Sequence, residues 1–129
     1  MKLHYVLLGL GGAGALWAGT AGAARSVTTV KVIAGKPSEF RFVVPKKTLR
    51  HGTVTFTMTN GGLIPHDLKI CASPKGGLAN TCVGKGTKLI SPGGSTKLTY
   101  TFKTKGTYEY LCTVPGHAAA GMKGDLKVT

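Results

Sequence analysis

The chain has 129 residues, enough for one small domain and too few for two. Its 17 Lys and Arg outnumber 4 Asp and Glu, for a formal net charge of +13. The lysines are scattered from Lys31 to Lys127 with no run longer than Lys46-Lys47, which describes a general positive field more than a basic arm built to grip nucleic acid.

The N-terminus reads MKLHYVLLGLGGAGALWAGTAGAARS: a basic start at Lys2, an apolar run from Tyr5 to about Ala18, then the small-residue pattern Ala21-Gly22-Ala23. Residues 1–23 read as a secretory signal peptide preceding a mature domain at 24–129. An uncleaved membrane anchor is the competing reading, but Gly11, Gly12 and Gly14 break the run, and it is short of the ~20 residues of a membrane span. The expectation is an exported protein, periplasmic or at the cell surface or beyond, with no stable membrane insertion after cleavage. Export also makes nucleic acid a poor partner.

From Val27 onward apolar residues alternate with Thr and Lys, and Gly, Pro, Asn and Ser punctuate at short intervals. Strands are expected at about 27–34, 39–44, 53–59, 67–72, 95–103, 106–112 and 123–129. The clearest is Thr53-Val54-Thr55-Phe56-Thr57-Met58-Thr59, with Val54, Phe56 and Met58 on one face and threonines on the other. In 95–103, Leu98, Tyr100 and Phe102 point inward. Turn signals at Asn60-Gly61-Gly62 and Pro92-Gly93-Gly94 separate the runs. Seven to eight short strands and no confident helix predict an all-β sandwich.

Cys71, Cys82 and Cys112 are an odd number in a chain read as exported. Pairing Cys71 with Cys82 across the turn-rich ASPKGGLANT is the economical assignment, with two free thiols as the alternative. Cys71 lies five residues beyond His66, ~16 Å along a strand, too far to share one ion with it. Cys112 closes the strand 106–112 on the face of Tyr108 and Tyr110. Its bland reading is a buried small hydrophobe.

The residues after Cys112 give it a different role. Cys112, His117 and Met122 place a thiolate, an imidazole and a thioether at five-residue steps in CTVPGHAAAGM. Two imidazoles and a thiolate in a plane, with a long axial Met, is the geometry of electron-transfer copper sites. The second imidazole is found by elimination: His4 belongs to the signal peptide, His51 sits in an exposed-looking turn, and His66 comes after a glycine-rich turn in NGGLIPHDL. Pro65 and Pro115 stiffen the chain beside the ligands, and Gly116 and Gly121 permit the tight path between them.

NGGLIPHDL and YEYLCTVPGHAAAGMKGDLKV resemble the cupredoxin family of type 1 blue copper proteins, the plastocyanin-, azurin- and auracyanin-like group, and the strand pattern matches over nearly the whole mature chain. The resemblance implies a Greek-key sandwich with one type 1 copper per chain at one end. It implies that His66 and His117 bind through Nδ1, Cys112 through its thiolate, and Met122 axially. Family members often carry Asn after the first histidine ligand, tying the two ligand loops together; here it is Asp67. Its carboxylate could accept from the N–H or hydroxyl of Thr113, and its charge would favour Cu(II).

The expected function is a monomeric carrier of single electrons between redox partner proteins, acidic ones given the positive field. An enzyme is not expected, because Cys112 is flanked by Leu111 and Thr113 and only His51 is left over for a second metal. A copper chaperone or copper-storage protein is the alternative. Such proteins rely on Met and His clusters, whereas the methionines here are Met1, Met58 on a core-facing strand, and Met122.

Overall fold

A computed structural model describes residues 14–23, 25–72 and 81–129. Most of the expected signal-peptide run and most of the segment between Cys71 and Cys82 lie outside the described residues. Residues 14–23 are exposed and carry no regular secondary structure, and no helix among the described residues is long and apolar enough to cross a membrane.

Among the described residues nine strands form the domain: β1 Thr28–Ala34, β2 Phe42–Val43, β3 Thr48–Leu49, β4 Gly52–Asn60, β5 Lys69–Cys71, β6 Gly84–Gly86, β7 Ser95–Phe102, β8 Gly106–Leu111 and β9 Lys123–Val128. They make two sheets, ordered β2-β1-β4-β7 and β3-β9-β8-β5-β6. The chain changes sheet repeatedly, so that β1 runs parallel to β4 and β3 parallel to β9 while the other pairs are antiparallel. This is an all-β sandwich, as the alternation predicts.

The strand periodicity works out in β4. Val54, Phe56 and Met58 are buried, and the intervening threonines face outward, where they meet β7 directly across the pair. Thr53 to Thr101, Thr55 to Thr99 and Thr59 to Ser95 share hydroxyl hydrogen bonds at 3.1, 3.3 and 3.0 Å. A one-residue slip would turn Phe56 out and strand these hydroxyls against the core, so the two faces fix one register. Phe56, Phe102 and Tyr108 meet edge-on in the core with Leu49, Leu126 and Val128 around them.

Two expectations are corrected, and two short strands are added. The strand at 39–44 shrinks to Phe42–Val43, because residues 35–41 leave the sheet and cross the end of the sandwich. The strand at 67–72 is Lys69–Cys71, since Asp67 and Leu68 lie in no strand and His66 makes only an isolated bridge to Ile90. β3 and β6 carry no alternation long enough to read; each exists by pairing with a longer neighbour. Tyr100 points inward with Leu98 and Phe102, as expected, and packs half-buried against the core.

Cys71 and Cys82 form a disulfide and Cys112 is a free, buried thiol. The disulfide packs with Leu111 and Ala118 on the outer face of β8. That cover buries Leu111, which faces away from the core that takes in Tyr108 and Tyr110. Glu109 is buried as well; its Oε1 has no hydrogen-bond partner among the described residues, and it stands opposite Asp125 in the β8–β9 pair. Desolvation first, then Asp125, raises the Glu109 carboxyl above its usual range, against the pull of Lys123.

Two outcomes are expected. Replacing both Cys71 and Cys82 with Ala opens a loop of sequence separation 11 and should cost ~3 kcal/mol in chemical denaturation. For Glu109, a raised folded-state pKa means that stability falls as pH rises from the unfolded carboxyl value through the folded one. Glu109→Gln should therefore raise Tm by ~1–5 °C at pH 7, with the gain vanishing below about pH 4 in a thermal melt series.

Candidate metal centre

β1 and β4 both run toward one end of the sandwich, and β8 finishes there, so Asn60 and Leu111 deliver the two loops that come after them to the same place. The first loop turns on Asn60. Its buried side chain accepts from Gly62 N–H at 2.9 Å and donates to the carbonyls of Ile64 and Ile90, both at 2.8 Å. His66 then exchanges two backbone hydrogen bonds with Ile90, at 3.1 and 2.8 Å, which fixes its main chain.

The second loop is closed by its own backbone. Cys112 N–H donates to Met122 O at 3.1 Å, Met122 N–H to His117 O at 2.9 Å, and His117 N–H to Val114 O at 3.1 Å. Gly116 and Gly121 have φ of 82° and 111°, a region that side-chain-bearing residues avoid, which lets the segment 112–122 fold into so small a compass. Met122 is fully buried in the same core cluster as Cys112.

The loops bring His66, Cys112 and His117 together with one ligand atom from each, all within 4.8 Å of one another. The Nδ1 atoms of the two histidines face each other at 3.2 Å, and Cys112 Sγ lies 3.6 Å from His117 Nδ1. Cys112 and His66 are fully buried, and His117 keeps 7% exposure. Among the described residues no second group of this kind occurs; His51 lies at the far end of the sandwich, exposed, with Nδ1 3.2 Å from Thr129 O.

Electrostatics suit a metal. Burial pushes the Cys112 thiol up to about 11, even though the N–H groups of Asp67 and Val114 point at its sulfur. A neutral buried thiol becomes a ligand by losing its proton, so metal binding must release one. Desolvation, then the neighbouring His66, lowers the His117 pKa, leaving its imidazole neutral and able to ligate at pH 7. Soft sulfur, two imidazoles facing inward and a buried thioether fit copper. His66, Cys112, His117 and Met122 would hold it, in an enclosure that excludes water.

Asp67 ties the two loops together. One carboxylate oxygen accepts from Thr113 N–H at 2.6 Å and the other from the Thr113 hydroxyl. Pro65 stands exposed one residue before His66, at the rim.

Three consecutive residues that no sequence motif marks also touch the site. Glu39 Oε1 lies 2.7 Å from His66 Nε2, Phe40 meets the His117 ring edge-on at 5.0 Å, and Arg41 donates to Ala120 O at 2.7 Å. No spacing rule links them to the ligands, since Glu39 is 27 residues from His66 in the chain and Arg41 is 79 from Ala120. The faint signal was an isolated acid in a chain with only four.

The model of the copper-binding plastocyanin/azurin family matches residues 28–129. A copper-resistant cuproprotein, CopI, from Rubrivivax gelatinosus is 31% identical over 116 residues, covering 82% of this chain and 69% of that one. Among solved structures, auracyanin A, a "blue" copper protein from Chloroflexus aurantiacus, superposes with a TM-score of 0.65 at 26% identity, covering 81% of this chain and 100% of that one. Rusticyanin from Thiobacillus ferrooxidans gives 0.64 at 29% identity, covering 78% and 76%.

The Asp67 carboxylate adds negative charge beside the Cys112 loop, which favours the more positive state of a bound metal ion. Asp67→Asn keeps the shape and one acceptor and should raise the reduction potential of the copper-loaded protein, measured by redox titration; a potential that stays put or falls removes Asp67 from the tuning of the site.

Proposed function

This chain belongs to the plastocyanin/azurin family of copper-binding proteins, and we propose that within it the protein is an exported carrier of single electrons between protein partners. As a member of that family it is not an enzyme. Bound copper would supply the chemistry, a one-electron cycle between Cu(I) and Cu(II). The chain supplies a dry, fixed set of ligands and a way in.

The observation that carries the reading is the contrast between burial and access. Cys112, His66 and Met122 are sealed, whereas His117 reaches the surface in an apolar rim. Leu63 is 87% exposed there, and Phe40, Ile64, Pro65, Pro115, Ala119 and Ala120 are exposed too. Ala118 is not part of the rim; it is buried under the loop against Cys71 and Leu111. A small apolar face around an imidazole edge lets a partner come close and leave quickly. Ligands held by backbone hydrogen bonds on both sides have little freedom to rearrange when the charge of the metal changes.

Export rests on residues 1–23 as a signal peptide and on the Cys71–Cys82 disulfide, which fits an oxidising compartment. The partner is read as acidic, since Glu39 and Asp67 at the copper end are engaged in hydrogen bonds while Lys36 and Lys123 stand exposed.

The likeness to CopI favours a second reading, copper sequestration in resistance. Burial argues against rapid handover of the metal, because ligands that pass copper on must reach the partner.

Copper-loaded protein should show an intense thiolate-to-copper band in the visible and cycle reversibly by one electron; colourless retention of Cu(I) would favour sequestration. Ala119→Glu should slow electron transfer to an acidic partner by ~10-fold without bleaching the band, and the parent's rate should fall as salt rises, both by stopped-flow spectroscopy. An unchanged rate in Ala119→Glu would take the rim out of the docking face.

A further inference from the structure

The loop 35–41 supplies no ligand, yet it reaches both loops that do. We propose that Glu39 is a positioning residue for the copper centre: its carboxylate sets the orientation of His66 and, through the imidazole, shifts the site toward Cu(II). The proposal rests on the reading of the site as a copper centre and deepens it.

The geometry is that of a built contact. Glu39 Oε1 meets His66 Nε2 at 2.7 Å, and the same carboxylate accepts from Leu63 N–H at 2.9 Å and Ile64 N–H at 3.2 Å. One anion therefore gathers the only outward-facing nitrogen of a fully buried imidazole and two main-chain donors of the loop carrying it. An isolated pair at the surface contributes little, but here three donors converge and one of them cannot reach water.

The neighbours of Glu39 fix where its carboxylate stands. Gly35 N–H donates to Arg41 O at 2.9 Å and closes the loop. Arg41 Nη1 bonds Phe40 O at 2.9 Å as well as Ala120 O at 2.7 Å, which ties the loop to the segment holding His117. Gly62 leaves the space: a Cβ there would overlap Glu39 Oε1 and come within 3.0 Å of His66 Nε2.

The chemistry depends on which nitrogen carries the proton. A carboxylate at Nε2 requires the N–H there, which leaves the Nδ1 lone pair of His66 free and directed at His117 Nδ1, where the metal would sit. Donating Nε2–H to an anion raises electron density at Nδ1 and strengthens it as a ligand, more for Cu(II) than for Cu(I). Holding the ring at its far end also keeps it from turning out when the metal is absent.

The test uses three single variants of the full chain. Glu39→Gln keeps the size and one acceptor but drops the charge. Gly62→Ala keeps the charge and displaces the carboxylate. Asp125→Asn removes a carboxylate from the middle of β9 as a control for net charge. Glu39→Gln and Gly62→Ala should each lower the Cu(II) to Cu(I) affinity ratio by ~10-fold, within the range for lost outer-shell partners. That equals a rise of ~59 mV for a one-electron couple. The visible band should persist and Asp125→Asn should leave the potential near that of the parent. In metal-free protein the His66 Nε2–H should appear as a low-field, slowly exchanging proton in nitrogen-edited NMR and move upfield in Glu39→Gln. A blue Glu39→Gln protein with the parental potential would overturn the proposal, as would a His66 protonated at Nδ1 in the metal-free parent. Absence of a blue band from the parent itself would instead overturn the copper reading.

Discussion

His66 is an imidazole with no exposure to water, and both of its ring nitrogens have to be committed to something. The copper end of the molecule is arranged around that constraint. A buried ring nitrogen without a partner costs free energy comparable to the hydrogen bond it lacks, so an interior histidine stays in place only if the fold brings a partner to each side. Glu39 meets Nε2 from one loop, and His117 lies opposite Nδ1 from another. Asn60 holds the loop that carries His66 itself, and Arg41 ties the loop of Glu39 to the segment that carries His117.

The sandwich makes this possible by keeping its ends fixed. The threonine pairs and the alternating core set the register of β4 against β7, and the register decides where Asn60 emerges. The β8–β9 pairing likewise decides where Cys112 and Met122 stand, and the bond from Cys112 N–H to Met122 O closes the loop between them. A shift of one residue in either pair would send the ligand side chains to the wrong face. The site therefore depends on contacts made well away from it.

Charge shows a similar division. The chain has only four acids, and two of them, Glu39 and Asp67, lie at the copper end with their oxygens turned onto donors of the ligand loops. Both add negative charge near the ligand cluster. The remaining two, Glu109 and Asp125, face each other across β8 and β9, where burial raises the cost of charge on Glu109.

The strand alternation in Thr53–Thr59 and the Cys112, His117 and Met122 spacing were legible in the sequence because both are local: a strand repeats every two residues, and a short loop keeps its ligands near each other in any fold. The choice of His66 came from elimination among four histidines, and the disulfide from counting three cysteines. β3, β6 and the loss of strand at 39–41 were not legible, since short edge segments take their form from whatever they pair with. Nor was the role of Glu39. Residue type and spacing determined which atoms can bind the metal; only the tertiary structure decided what stands behind them, because the partner of His66 Nε2 is set by how two distant loops pack at the end of the sandwich, and that packing leaves no period in the chain.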